Sequence, residues 1–146
     1  MPIYMKYDAV KGSGTGKYAG WIPLKKCDLG GYSGKIRRMR DIAIWKEPDA
    51  SSPHLMELSQ QGRAVDARID FVEKKETVPY LSVELEKAVI ASYSVSGTMG
   101  TISVEEHLDL SFEKISFTSE PTGAAKGSKA AKIKMVGSWK VEKGTK

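Results

Sequence analysis

The feature that most constrains this chain is an apolar alternation of period two that recurs along most of its length. Ile3, Met5 and Tyr7 alternate with Tyr4, Lys6 and Asp8. Val65, Ala67, Ile69 and Phe71 alternate with Asp66, Arg68 and Asp70. Leu81, Val83 and Leu85 alternate with Ser82, Glu84 and Glu86. Ile102, Val104, Leu108, Leu110 and Phe112 occupy even positions opposite Asp109, Ser111 and Glu113. Successive side chains of a strand point to opposite faces, so these runs predict strands with one buried and one solvated face. After Phe112 the apolar positions become Ile115 and Phe117, and this change of parity predicts a bulge or bend near Glu113 and Lys114. Weaker strands are read at 19–27 and 36–46, the first at an edge or irregular position because it holds Pro23. Residues 88–96 read as a strand that either follows a turn at Glu86 and Lys87 or continues the strand before it.

One segment has helical spacing. Ser51 or Ser52 can cap it, Pro53 suits the first helical position, Leu55 and Leu58 share a face, and Gly62 closes it. A helix of about ten residues needs tertiary packing to persist. Near the end, Ile133, Met135, Gly137, Trp139 and Val141 alternate with Lys132, Lys134, Ser138, Lys140 and Glu142, which predicts a last strand over 131–142 added to a sheet edge. The predicted architecture is mainly β: an antiparallel β-barrel of about eight or more strands with one short α-helix packed on its side. Residues 1–146 are expected to form a single domain, with 123–130 a flexible connection to the C-terminal strand.

The formal charge of +5 points toward nucleic acid until it is located. Residues 121–146 hold seven lysines and one glutamate, +6, which leaves 16 basic and 17 acidic groups, −1, in the first 120 residues. A lysine-rich tail with no arginine and one aromatic residue lacks the stacking platform of a nucleic-acid surface. No run approaches the ~18–20 apolar residues of a membrane helix, and the opening MPIYMKYDAV lacks the basic and apolar regions of a signal peptide. Cys27, the only cysteine, excludes an intramolecular disulfide and a cysteine-rich metal site.

Gly12–Lys17 (GSGTGK) resembles a phosphate loop, but Tyr18 replaces the Ser or Thr, Lys11 replaces the first Gly, and a strand follows; a hairpin turn explains it better. Glu106 and His107 are adjacent on a strand and point to opposite faces, and His54 lacks a partner at ligand spacing, so no metal site is expected. No nucleophile elbow is present. The residues thus predict a non-enzyme with no cofactor. The segment Lys35-Ile36-Arg37-Arg38-Met39-Arg40 is the one dense basic patch of the body, and contact with a partner or a second copy is favoured over phosphate. A small basic module binding nucleic acid or protein stays as the alternative reading.

The order of segments resembles the Hcp family, the tube protein of type VI secretion. Asp8-Ala9-Val10-Lys11-Gly12 is similar to the family's turn after its opening strand. Asp41–Lys46, followed by Asp49–Met56 (DASSPHLM), resembles its strand leading into a Ser-Pro-x-Leu helix. Gly62-Arg63 with the strand through Val72, then Tyr80–Leu85 (YLSVEL) and Ala91–Gly97 (ASYSVSG), resemble its central strands. Glu106–Ile115 (EHLDLSFEKI) and Gly137–Val141 (GSWKV) resemble its closing ones. The chain departs from the family where paired tryptophans and a long glycine-rich loop are common: here stand Leu24–Asp28 (LKKCD) and the short Leu29–Gly34 (LGGYSG).

The resemblance implies a hexameric ring, rings stacked into a tube whose lumen holds effector cargo, a contractile sheath around it and a VgrG spike at its tip. It implies a protein of the bacterial cytoplasm before firing, then exported without a cleaved signal peptide, with no nucleic-acid partner and no membrane insertion. By alignment with the family, Lys25 and Cys27 face the lumen. Arg37, Arg38 and Arg40 are the expected subunit interface, meeting acids such as Glu105, Glu106, Glu73 and Glu76.

Overall fold

In the computed structural model, described residues are 2–8, 10–29, 32–33, 38–39, 41–72, 79–97, 99–100, 104–119 and 135–140, with backbone alone for 32–33, 38–39 and 135–140. The strands are β1 (Ile3–Tyr7), β2 (Ile22–Leu24), β3 (Lys26–Asp28), β4 (Tyr32–Ser33), β5 (Arg38–Met39), β6 (Ile42–Lys46), β7 (Val65–Val72), β8 (Pro79–Gly97), β9 (Val104–Ser111), β10 (Lys114–Ser119) and β11 (Met135–Lys140). Among the described residues one α-helix, α1, spans Ser52–Gln61. The ladders among the described residues are all antiparallel.

The main sheet has nine strands in the order β2-β1-β7-β8-β9-β6-β3, with β10 paired to β8 and β11 to β10; β4 and β5 form a separate pair. The ladder is open, but its ends β2 and β3 are successive pieces of one chain segment, joined at Lys25, whose N–H donates to Trp45 O at 2.7 Å. That continuity folds the sheet around a core that includes Met5, Ile22, Ile44, Ile69, Val83, Leu108 and Ile115. Pro23 lies on β2, at one end of the sheet order, where a missing N–H breaks no ladder on the far side.

The parity change in the sequence is a corner. β8 runs unbroken through Glu86 and Lys87, but Lys87 takes the left-handed conformation, φ 53°. Its inward residues switch from Val83 and Leu85 to Ala88 and Ile90. Opposite it the chain breaks between β9 and β10, and the inward residues switch from Leu110 and Phe112 to Ile115. Glu113 N–H donates to Glu86 O at 3.0 Å, Lys87 N–H donates to Asp66 Oδ1 at 3.3 Å, and Lys87 Nζ lies 3.4 Å from Glu113 Oε2. One long hairpin therefore bends as a unit, its first half pairing β8 with β10 and its second half β8 with β9.

α1 is as short as its sequence requires. Leu55 and Leu58 are buried, and Gly62, at φ 62°, returns its N–H to Leu58 O at 3.0 Å. The last strand is added to the edge, as β11 on β10, with Trp139 in register with Ile115. The 123–130 connection lies outside the described residues. The GSGTGK segment belongs to the β1–β2 connection, as a hairpin turn would, and enters a single 3₁₀ turn, Gly16–Tyr18. A Cβ on Gly14 would stand 2.3 Å from Tyr18 O, so only glycine fits there.

Candidate functional site

Ile42, Ile44 and Lys46 share the inward face of β6, and Leu110, Leu108 and Glu106 share that of β9. The register that pairs Ile42 with Leu110 and Ile44 with Leu108 thus pairs Lys46 with Glu106. The apolar ladder ends in a buried ion pair. Lys46 Nζ lies 3.1 Å from Glu106 Oε1 and 3.1 Å from Asp49 Oδ1, and donates to Ser52 Oγ at 3.2 Å and Glu47 O at 2.9 Å. Glu106 also accepts from Ser52 Oγ, and from the Tyr93 hydroxyl at 2.6 Å. Asp49 Oδ1 accepts from the Ser51 N–H at 2.9 Å and from Ser51 Oγ. Its Oδ2 accepts from the N–H and Oγ of Ser13 at 3.0 and 3.1 Å. Buried charges need such satisfaction, because each desolvated ion costs several kcal/mol.

These contacts shift titrations. Burial raises the Asp49 carboxyl, but the Ser51 hydrogen bonds and the Lys46 charge outweigh it and hold the group below the usual carboxylate range. Burial and the hydrogen bond to Glu106 push the Tyr93 phenol up. Ser52 beside Lys46 does not form a nucleophile–base pair. A base must accept the nucleophile's proton, whereas here Lys46 Nζ donates to Ser52 Oγ and Ser52 Oγ donates to Glu106. A concavity of about 220 Å³ beside the cluster is lined by Ser13, Leu24, Lys25, Glu47 and Asp49, and Ser52 is not part of its lining. Among the described residues no group of three or more His, Cys, Asp or Glu could hold a metal.

A larger open concavity, about 370 Å³, lies over β1, β7 and β8 between Lys6, Asp8, Asp66, Arg68, Glu84 and Glu86. Arg68 Nη1 lies 3.3 Å from Glu84 and Lys114 Nζ 3.5 Å from Glu86, a charge ladder suited to solvent. On the face of β3, β6 and β9, Trp45 stacks on His107 with centroids 4.7 Å apart, and Lys26 Nζ sits 4.7 Å from the Trp45 ring. The exposed large apolar side chains among the described residues are Met56 on α1 and Val95, Met99 and Val104 around the β8–β9 hairpin.

The structure corrects two expectations. Glu106 is 1% exposed and committed to Lys46, so it is not a surface acid for a neighbour's arginines. Cys27 does not share an exposed face with Lys25. It packs partly buried against the core, between exposed Lys26 and Asp28, and burial pushes its thiol up to about 12. Lys25 sits at the break between β2 and β3, which interrupts the alternation that would have aligned the two. Lys25 is exposed, and its Nζ meets Glu105 Oε2 at 2.9 Å within the same subunit. Arg37, Arg40, Glu73 and Glu76 lie outside the described residues, and Arg38 belongs to β5, in register with Ser33.

The model of the type VI secretion system effector Hcp matches residues 4–118, most of the chain. The chain belongs to the Hcp family. As an Hcp-family protein it is a subunit of the type VI secretion tube, and the expected antiparallel β fold with one helix is the Hcp fold. A type VI secretion system effector from Yersinia pestis is similar at a TM-score of 0.80 and 14% identity, covering 95% of this chain and 99% of that one. Hcp1 from Salmonella typhimurium is similar at 0.79 and 17% identity, covering 95% and 93%. The secreted protein Hcp3 from Pseudomonas aeruginosa is similar at 0.71 and 18% identity, covering 97% and 98%. No curated protein matches by sequence. The family match ends before β11, whereas the structural likenesses extend over almost the whole chain.

Proposed function

We propose that this Hcp-family subunit closes into a six-membered ring, and that rings stack into the tube that carries effectors in its lumen. The observation that carries the reading is the family match over 4–118. Strand edges support it: β11 is laddered only to β10, and β8 over 89–97 only to β9, among the described residues. Two different open edges on one chain suit a heterologous contact, which closes a ring when the rotation between subunits is right.

Arg37, Arg38 and Arg40 orient the contact by meeting acids of the neighbouring subunit, with Glu105, Glu73 and Glu76 the candidates once Glu106 is removed. Lys25 is the remaining candidate for the lumen wall. The sheath surrounds the tube, a VgrG protein tips it, and the subunit acts as structure rather than catalyst. It waits in the bacterial cytoplasm and leaves with the firing apparatus. Immunodetection in culture medium tests export: the full-length chain should appear outside cells with an intact sheath and stay inside cells lacking it. Equal release from both would sink the reading.

A further inference from the structure

The Lys46 cluster touches two surface features that are distant in sequence. On one side Asp49 accepts both Ser13 hydrogen bonds, and Ser13 is exposed on the β1–β2 connection. On the other side Glu106 accepts the Tyr93 hydroxyl, and Tyr93 lies where β8 leads into the β8–β9 hairpin. Val95, Met99 and Val104 are, among the described residues, the exposed large apolar side chains around that hairpin. Between Ser13 and Tyr93 every step is a hydrogen bond or ion pair: Ser13 to Asp49, Asp49 to Lys46, Lys46 to Glu106, Glu106 to Tyr93.

We propose that this cluster is a coupling device that holds the β1–β2 connection and the β8–β9 hairpin in one fixed relation, so that loosening either loosens the other. The physical reason is the shared, buried ammonium. Lys46 is 0% exposed and Glu106 1%, so a donor lost from Glu106 is not simply replaced by bulk water, while Asp49, its side chain 10% exposed, reaches the same buried ammonium. The carboxylate recovers by drawing on Lys46 or Ser52, and the same Lys46 serves the other carboxylate. Ser52 ties the exchange to the helix start, because its Oγ also accepts the Asp49 N–H at 2.9 Å. Networks that share members in this way respond non-additively to the loss of one. The proposal is independent of the ring reading, since it concerns one subunit in any state of assembly.

Amide hydrogen exchange on the full chain tests it. The reporters are the Gly12 and Gly14 N–H groups, which donate to Gly20 O at 2.9 Å and Trp21 O at 2.8 Å, and the hairpin amides of residues 93–97. Tyr93→Phe should speed exchange at Gly12 and Gly14 by roughly tenfold, while β7 amides such as Ile69 stay unchanged. Ser13→Ala should speed the hairpin amides to a similar degree, and the double variant should add little. Ser13 is exposed, so its variant keeps the test open if Tyr93→Phe unfolds. Ser92→Ala removes a hairpin bond outside the cluster, Ser92 Oγ to Asp109 Oδ2 at 2.7 Å, and should leave Gly12 and Gly14 untouched. Effects confined to the element that carries each substitution would overturn the proposal. So would a Ser92→Ala variant that loosens Gly12 and Gly14 as much as Tyr93→Phe does.

Discussion

Lys46 and Glu106 are register partners on adjacent strands, both turned into the core, 3.1 Å apart and 0% and 1% exposed. Such a pair contributes little net stability against apolar residues of the same size, yet losing one member strands the other. Lys46→Met should therefore cost about 3–5 kcal/mol, because Glu106 remains buried, and Asp49 part-buried, without their cation. Lys46→Met combined with Glu106→Leu should recover most of that loss. Urea denaturation of both variants checks this; a double variant as weak as the single one would contradict it.

Acid should act on the same cluster through Asp49. Its folded carboxyl titrates below the ordinary range, so the unfolded chain binds the proton more readily. The contribution is complete above the unfolded value of about 3.9 and is lost as pH falls through the lower folded value. Asp49→Asn should flatten the fall in stability below about pH 4. Denaturation midpoints measured between neutral and acidic pH decide the point, and an unchanged acid limb in the variant would count against it.

Cys27 should react slowly in the native protein. Burial pushes its thiol, and the Tyr7 phenol, up to about 12. Both groups favour the folded state while protonated. Their contribution is intact below the ordinary thiol and phenol values and declines as pH rises toward about 12. A maleimide at neutral pH should label the urea-unfolded chain far faster than the native one. Equal rates would place the thiol at the surface.

Deleting residues 123–146 should lower the melting temperature by several degrees. The deletion removes β11 and its six-residue register with β10, whose ladder bonds are worth about 0.5–1.5 kcal/mol each. It also exposes the outer edge of β10. Calorimetry on the shortened chain tests this, and an unchanged transition would mean that β11 adds nothing to the subunit.

Much of the fold was legible because alternation is a local signal. The inward sets Ile3–Tyr7, Val65–Ile69 and Leu108–Leu110 follow from parity alone, and so does the break after Phe112. By charge Glu106 reads as a surface acid, but its parity matches that of Leu108 and Leu110, and parity decides its burial. Lys46 carried the same signal beside Ile42 and Ile44. A charge on an inward position of each of two strands is the mark of a buried pair, but only register shows that the two meet, and register is not local. The side that Cys27 takes is hidden for a related reason, since the break at Lys25 resets the alternation between β2 and β3.

The central claim, a ring-forming tube subunit, is tested most directly by native mass in solution. Six copies of a 16.0 kDa chain give about 96 kDa. Multi-angle light scattering should find that mass, or multiples of it as rings stack, and Arg37→Glu with Arg38→Glu should weaken ring formation or stacking while leaving the circular dichroism unchanged. A single species of 16.0 kDa that persists at high concentration and at low and high salt would contradict the account.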